Sequence, residues 1–226
     1  MRGRFGMGGS IAHPDPAAAL AAFLVALDAA PDRAAAPAAD AGAAATLREL
    51  ATLVRSLKAN APPRETPPRL PVCRYWNAAL ESAGDPLAGA LDALAPWLSW
   101  TQNPNYRRRP PDAAFLDNYG YAVIAGPADG PPALATDPRL ALGVLLLGPG
   151  THYPLHAHPA VEVYYTLTPG EWWRDDGPWR LEPPGTAIHH PPDVRHATRA
   201  GAVPLLALYL WRGDLATHAS LTPAAP

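Results

Sequence analysis

The chain has 226 residues, of which 48% are hydrophobic, so it is long and apolar enough for one generous domain or for a core domain with an added N-terminal element. Only 17% of residues are charged and the formal net charge is −2, which excludes the basic footprint of a nucleic-acid binder; Arg107-Arg108-Arg109 is the one dense positive cluster and reads as a solvated face. A single cysteine, Cys73, excludes an intramolecular disulfide framework, and no stretch of about eighteen uncharged apolar residues exists, so a cytoplasmic protein without a membrane span is expected.

The first hundred residues read as helical. Asp15-Pro16 supplies an N-cap followed by proline in the first turn, and Leu20, Phe23, Leu24 and Leu27 recur with helical spacing. This alanine-dominated stretch contains Asp28, which makes it a poor signal peptide. Residues 31–43 form an Ala/Pro/Asp linker of low complexity. Thr46, with Glu49 three residues on as a capping box, opens a second amphipathic stretch carrying Leu47, Leu50, Leu53, Val54 and Leu57. A proline-rich connector follows over 61–71. The Asp85-Pro86 signal then predicts a third helix to about Trp100, with Leu87, Leu91, Leu94 and Leu98 along one face.

Beyond residue 101 the character changes. Tyr119 to Ala125, Ala141 to Leu147, Val161 to Leu167 and Leu205 to Trp211 are short, apolar, β-prone runs separated by Gly/Pro turns. The 30 prolines and 18 glycines of the chain suit short elements joined by many turns. The expected fold is mainly β, a sandwich or barrel, with an α-helical N-terminal section over 1–110 and the β domain over 111–226.

Six of the eight histidines lie between residues 152 and 196. In an extended chain, residues two apart point to one face, so His156 and His158 can converge, and Glu162 has the same parity. The later turn Pro191-Pro192-Asp193-Val194-Arg195-His196 can bring another imidazole from a neighbouring strand. A lone strand histidine is more often a core or surface residue than a ligand. The full set of His156, His158, Glu162 and His196 is instead a nitrogen and oxygen donor set for one divalent transition metal: Zn, Fe, Mn, Ni or Co. His189 and His190 read as structural, as supports that contact the ligands without binding metal, or as exposed, His152 as a loop residue near a pocket mouth, and Cys73 as a buried or incidental thiol.

Gly150-(five residues)-His156-x-His158-(three)-Glu162 resembles the first cupin motif, and Pro184-Gly185…Pro191-Pro192-Asp193-x-x-His196 resembles the second. Two positions depart from that pattern. The glycine closing the first motif is displaced by one place, to Gly170, and Ala200 stands where the second motif usually has asparagine. The resemblance implies a double-stranded β-helix barrel over roughly 115–215, and a homodimer, since cupins often pair. A narrower resemblance is to the cupin dimethylsulfoniopropionate (DMSP) lyases. It rests on His156-x-His158-Pro-Ala-x-Glu162-x-Tyr164, on Ile188 through His196, on the strand Pro204 to Gly213, and on the upstream Tyr153.

That resemblance implies β-elimination of DMSP, a small-molecule substrate, to dimethyl sulfide and acrylate. A metal-bound carboxylate acidifies the adjacent C–H, and a tyrosine beside the cation serves as base, Tyr164 first and Tyr153 second. A sulfonium leaving group suits aromatic partners, for which Trp172, Trp173, Trp179, Tyr209 and Trp211 are candidates, although core or rim packing is the commoner role of any one of them. The rival readings are a metal-dependent dioxygenase or isomerase on another small acid, and a non-catalytic ligand-binding cupin.

Overall fold

The computed structural model describes residues 15–33, 41–57, 69–84 and 86–223. Helix α1 (Pro16–Asp28) starts where the sequence places it: the Asp15 carboxylate accepts from the Ala18 amide at 3.1 Å, and Pro16 presets the first turn. Its Leu20, Phe23 and Leu27 are buried.

The expected linker is shorter than residues 31–43. Helix α2 (Ala30–Arg33) occupies its start and α3 (Ala41–Val54) its end, while 34–40 lie outside the described residues. Thr46 is therefore not a cap. It is buried inside α3, because the alanines before it are the strongest helix formers and carry the helix upstream. Of the proline-rich connector, 61–68 lie outside the described residues; Pro71 opens a 3₁₀ turn (Pro71–Tyr75) leading into α4 (Trp76–Glu81), a helix too short for its periodicity to be read.

The third predicted helix is cut short. Helix α5 (Leu87–Asp92) gives way to a 3₁₀ turn at Ala95–Trp97, since Pro96 has no N–H and its ring would clash with the carbonyl of Asp92. Asp85 of the cap signal lies outside the described residues. Its apolar stripe is nevertheless right, with Leu87, Leu91, Leu94 and Leu98 all buried. Trp100 already belongs to strand β1 (Trp100–Thr101), followed by α6 (Pro104–Arg108), capped by the Asn103 side chain. Arg107 and Arg108 close that helix as exposed residues.

The remaining strands are β2 (Tyr119–Gly126), β3 (Ala135–Thr136), β4 (Leu140–Leu147), β5 (His152–Ala157), β6 (Val161–Thr166), β7 (Gly170–Arg174), β8 (Arg180–Glu182), β9 (Ala187–His190), β10 (His196–Ala200), β11 (Leu205–Arg212) and β12 (Ser220–Leu221). They form two sheets, ordered β1-β2-β4-β11-β6-β9 (with β3 beside β2) and β12-β5-β10-β7-β8. Every pairing is antiparallel except β2 with β3. This is the mainly β cupin barrel with an α-helical N-terminal section. Positive backbone φ at Gly150 (69°) and Gly185 (82°) lets the chain turn tightly before each histidine-bearing segment.

The larger sheet is buried on both faces, which is why its strands read as continuous apolar runs rather than alternating ones. Strand parity divides its side chains. Val163, Tyr165, Leu206, Leu208, Leu210, Leu142, Val144 and Leu146 join the helices' Phe23, Leu27, Val54 and Leu91 in one core. The alternate residues, Tyr164, Tyr209, Leu145, Leu147 and Ala207, face the barrel interior with Tyr119, Tyr153 and Trp172. Helix α3 packs on β6 and β9, so it stands directly behind the strands that carry Glu162 and His190.

Candidate active site

Strand register assembles the site from both motifs. His156 on β5 lies opposite His196 on β10. On β6, Glu162 is flanked by Trp211 of β11 on one side and His190 of β9 on the other, and Tyr164 lies opposite Tyr209. His158 follows β5 directly, and its carbonyl accepts the backbone N–H of Asp193 at 2.8 Å, which ties the second motif's turn to the first motif. Asp193 adopts φ 61°, a left-handed conformation that aspartate tolerates better than most residues.

His158, Glu162 and His196 are all buried, and their ligand atoms lie within 4.8 Å of one another. Glu162 Oε2 is 3.1 Å from His158 Nε2 and 3.3 Å from His196 Nε2. The outer nitrogens of both rings are spent on the main chain: His158 Nδ1 sits 3.1 Å from the Ala160 carbonyl and His196 Nδ1 3.0 Å from that of Val194. Such bonds fix the Nδ1–H tautomer and turn the Nε2 lone pairs inward. His196 Nε2 is buried with no hydrogen-bond partner among the described residues. Burial works against a charged Glu162, but the neighbouring His158, and then His190 and His196, outweigh it and hold the carboxyl well below its ordinary pKa of 4.5. Inward lone pairs, one ionised carboxylate and an unsatisfied buried nitrogen fit a divalent transition metal.

His156 stands beside this triad rather than within it. Its Nδ1 contacts the Pro154 carbonyl at 2.8 Å, and its ring stacks on Tyr153 (4.0 Å, 4°) and meets His196 edge-on at 4.1 Å. Of the pair His189-His190, for which the sequence leaves structural, supporting and exposed roles open, His190 is the one that meets the site. It is fully buried, with Nδ1 3.2 Å from Glu162 Oε2 and its ring stacked on His196 at 3.9 Å. Burial, and then the neighbouring His196, lower its pKa from 6.5 to about 3, so it is neutral. Nothing in the adjacent pair His189-His190 tells which faces inward; that needs the β6–β9 register.

Glu162 forms part of the wall of a cavity of about 540 Å³, shared with Tyr119, Tyr121, Tyr153, Tyr164, Tyr209 and Trp211. Tyr119 and Tyr121 were not anticipated, although both sit on the same parity of an apolar strand. Tyr153 shares a hydroxyl contact of 3.1 Å with Tyr106. The Tyr164 phenol is pushed well above its ordinary pKa of 10, first by burial and then by the charge of Glu162 and a hydrogen bond to it. Trp211 donates Nε1–H to Glu162 Oε1 at 2.6 Å and stacks on His158. The other candidate tryptophans do not line that cavity, although Trp172 packs on Tyr164 at 4.7 Å. Trp172 and Trp173 border a second cavity of about 130 Å³ with His190, and Trp179 packs edge-on against His152 with Arg199 stacked over it at 3.7 Å. Cys73 is a buried free thiol whose pKa burial raises.

The model of the dimethylsulfoniopropionate lyase family matches residues 45–207. The dimethylsulfoniopropionate lyase DddQ of Ruegeria pomeroyi is 40% identical over 111 residues, covering 49% of this chain and 53% of that protein, so the chain spans about half the length of this relative. The putative dimethylsulfoniopropionate lyase DddL of Cereibacter sphaeroides is 31% identical over 169 residues, covering 72% of this chain and 68% of that protein. The crystal structure of the Ruegeria pomeroyi DddQ superposes with a TM-score of 0.70 at 28% identity, covering 94% of this chain and 100% of that one. A structure reported with the lyases RdDddP and RnDddQII, at 24% identity, shares the fold with a TM-score of 0.71 over 92% of this chain and 100% of that one.

Proposed function

The chain belongs to the dimethylsulfoniopropionate lyase family, and on that premise we propose that it cleaves DMSP to dimethyl sulfide and acrylate by β-elimination at a divalent-metal centre. The observation that carries the reading is the meeting of His158 and His196 with Glu162, whose side chain forms part of the wall of a tyrosine-lined cavity. These three residues would hold the metal, with His156 at its side. A bound divalent cation supplies Lewis-acid polarisation of the substrate carboxylate and offsets the burial and the Glu162 charge that otherwise keep the Tyr164 phenol protonated.

The protein's own groups do the rest. Tyr164 takes the proton from the carbon next to the carboxylate. The freed electron pair forms the C=C bond as the C–S bond breaks, and dimethyl sulfide departs with the former bonding pair on sulfur. Tyr153, tied to Tyr106 and stacked on His156, orients the substrate. The rings of Tyr209 and Trp211, with Tyr121 edge-on to Tyr209 at 6.1 Å, offer π faces to the sulfonium, worth about 0.5–2 kcal/mol each. Trp179 already faces the Arg199 guanidinium and is the weakest candidate of the five aromatics for that task.

The test is headspace detection of dimethyl sulfide from purified protein incubated with DMSP after loading with Zn, Fe, Mn, Ni or Co. Dimethyl sulfide and acrylate in equal amounts, abolished by a chelator, are expected. Failure to release dimethyl sulfide with every one of these metals would sink the lyase reading and return attention to oxygen-dependent chemistry or ligand binding.

A further inference from the structure

We propose that His190 is a positioning residue for the metal-binding carboxylate, holding Glu162 from the opposite side to Trp211. The inference rests on the metal-centre reading above and adds a residue that takes no part in binding metal or substrate.

Four buried histidines crowd this corner of the barrel, and they differ in how they use Nδ1. His156, His158 and His196 each place it on a main-chain carbonyl two residues away, at 2.8, 3.1 and 3.0 Å. His190 alone among the four turns Nδ1 to a side chain, Glu162 Oε2 at 3.2 Å. Its Nε2 is buried with no hydrogen-bond partner among the described residues. The imidazole is therefore aimed at the carboxylate and is held there by shape: it stacks on His196 at 3.9 Å and 23°, and meets Tyr164 edge-on at 5.7 Å.

The backbone explains the pairing. Trp211, Glu162 and His190 form one row across β11, β6 and β9, each directly opposite the next. Trp211 Nε1–H takes Oε1 at 2.6 Å, and His190 Nδ1–H takes one lone pair of Oε2. A carboxylate oxygen has two lone pairs. The second lone pair of Oε2 is thus left facing His158 and His196, where a cation would sit. Besides Tyr164 on Glu162's own strand, one donor from each neighbouring strand sets the tilt and the rotation of the carboxylate.

The test compares His190→Phe, which keeps a flat ring without a donor, with His190→Asn, whose amide N–H falls near the position of Nδ1. Co²⁺ affinity is measured by competition with a chromophoric chelator on the full chain, alongside the visible bands of the bound Co²⁺, with folding checked by circular dichroism. His190→Phe is expected to bind Co²⁺ about ten- to a hundredfold more weakly with shifted bands, and His190→Asn to recover most of the affinity and the original bands. Wild-type affinity and bands in His190→Phe would overturn the proposal, as would equal loss in two folded variants. Independently of any variant, long-range ¹H–¹⁵N spectra of the Zn²⁺-loaded protein should give His190 the Nδ1–H tautomer, and an Nε2–H tautomer would overturn it. A wild-type chain that binds Co²⁺ but releases no dimethyl sulfide sinks the lyase reading and leaves this one in place. A wild-type chain that binds no Co²⁺ removes both.

Discussion

Tyr164 and Tyr153 enter the same cavity with unequal commitments. Tyr164 sits two residues from Glu162 on one face of β6, whereas the Tyr153 hydroxyl is shared with Tyr106 and its ring with His156. Tyr164→Phe should keep its bound metal while kcat falls by about 10²- to 10⁴-fold, the range for loss of a positioned base. Tyr153→Phe keeps the stack on His156 and loses the hydroxyl's hydrogen bonds with Tyr106 and Tyr119, about 1 kcal/mol each, so its effect should fall mainly on KM and stay below about tenfold. Metal content and steady-state rates decide it; the reverse ranking would make Tyr153 the base.

The same buried residues set the acid behaviour of the metal-free protein. Burial lowers the pKa of His190 to about 3 and holds that of His156 well below 6.5. Unfolded histidines take up protons as pH falls through about 6.5, while these two stay neutral in the folded chain, so the unfolded state binds more protons over the range from there down to about 3. Stability is therefore fully present above about pH 6.5 and declines as the medium is acidified toward about pH 3. Glu162, whose folded pKa is depressed, adds to the loss only below its ordinary 4.5. Urea midpoints of chelator-treated protein should hold level from about pH 7.5 to about pH 6.5 and drop steadily from there to about pH 5; a midpoint that stays flat throughout would mean that these imidazoles reach water. Such residues were legible in the sequence to different degrees. The clustering of His156, His158 and Glu162 announces a site, but not by the parity of one extended strand: β5 ends at Ala157, Glu162 stands on β6 in the other sheet, and His156 lies beside the triad. Which of His189 and His190 supports the ligands was not legible, because that depends on which residue lies opposite Glu162 across two strands.

At the level of the element, Gly143 shows what local pattern can and cannot reveal. A glycine inside an apolar strand signals close approach by another group, but which group follows only from the register. On β4 it lies opposite Tyr209, and a Cβ there would run into the Tyr209 hydroxyl end and the Ala122 carbonyl oxygen. Gly143→Ala should cost about 1–3 kcal/mol as an overpacking change and push the Tyr209 ring into the cavity, raising the KM for DMSP. Thermal midpoint and KM together test this, and an unchanged KM would remove Tyr209 from the substrate's surroundings. The strands after residue 101 were readable as apolar runs between Gly/Pro turns, since turn chemistry is local. The helix boundaries were less so: α3 ran upstream through alanines that looked like linker, and one proline, Pro96, ended a helix whose leucine stripe continues past it.

For the whole molecule, the question is whether the helical section is an appendage or part of the barrel's foundation. The outward faces of β4, β6 and β11 carry Leu142, Val144, Val163, Tyr165, Leu206 and Leu208, all buried in one core with Phe23, Leu27, Val54 and Leu91. Without the helices these strands would expose a large contiguous apolar face. With α3 packed on β6 and β9, the helices also brace the two strands that bring Glu162 and His190 together. Phe23 is the sharpest probe, because it is fully buried and lies far along the chain from any site residue. Phe23→Ala should lower the unfolding free energy by about 3–5 kcal/mol. Helices and barrel that share one core lose their structure together, so the far-ultraviolet helix signal and the tryptophan fluorescence should shift to the same lower denaturant midpoint. A fluorescence transition left at its wild-type midpoint, while the helix signal alone moves, would show instead that the barrel and its metal-binding row stand without the helices behind them.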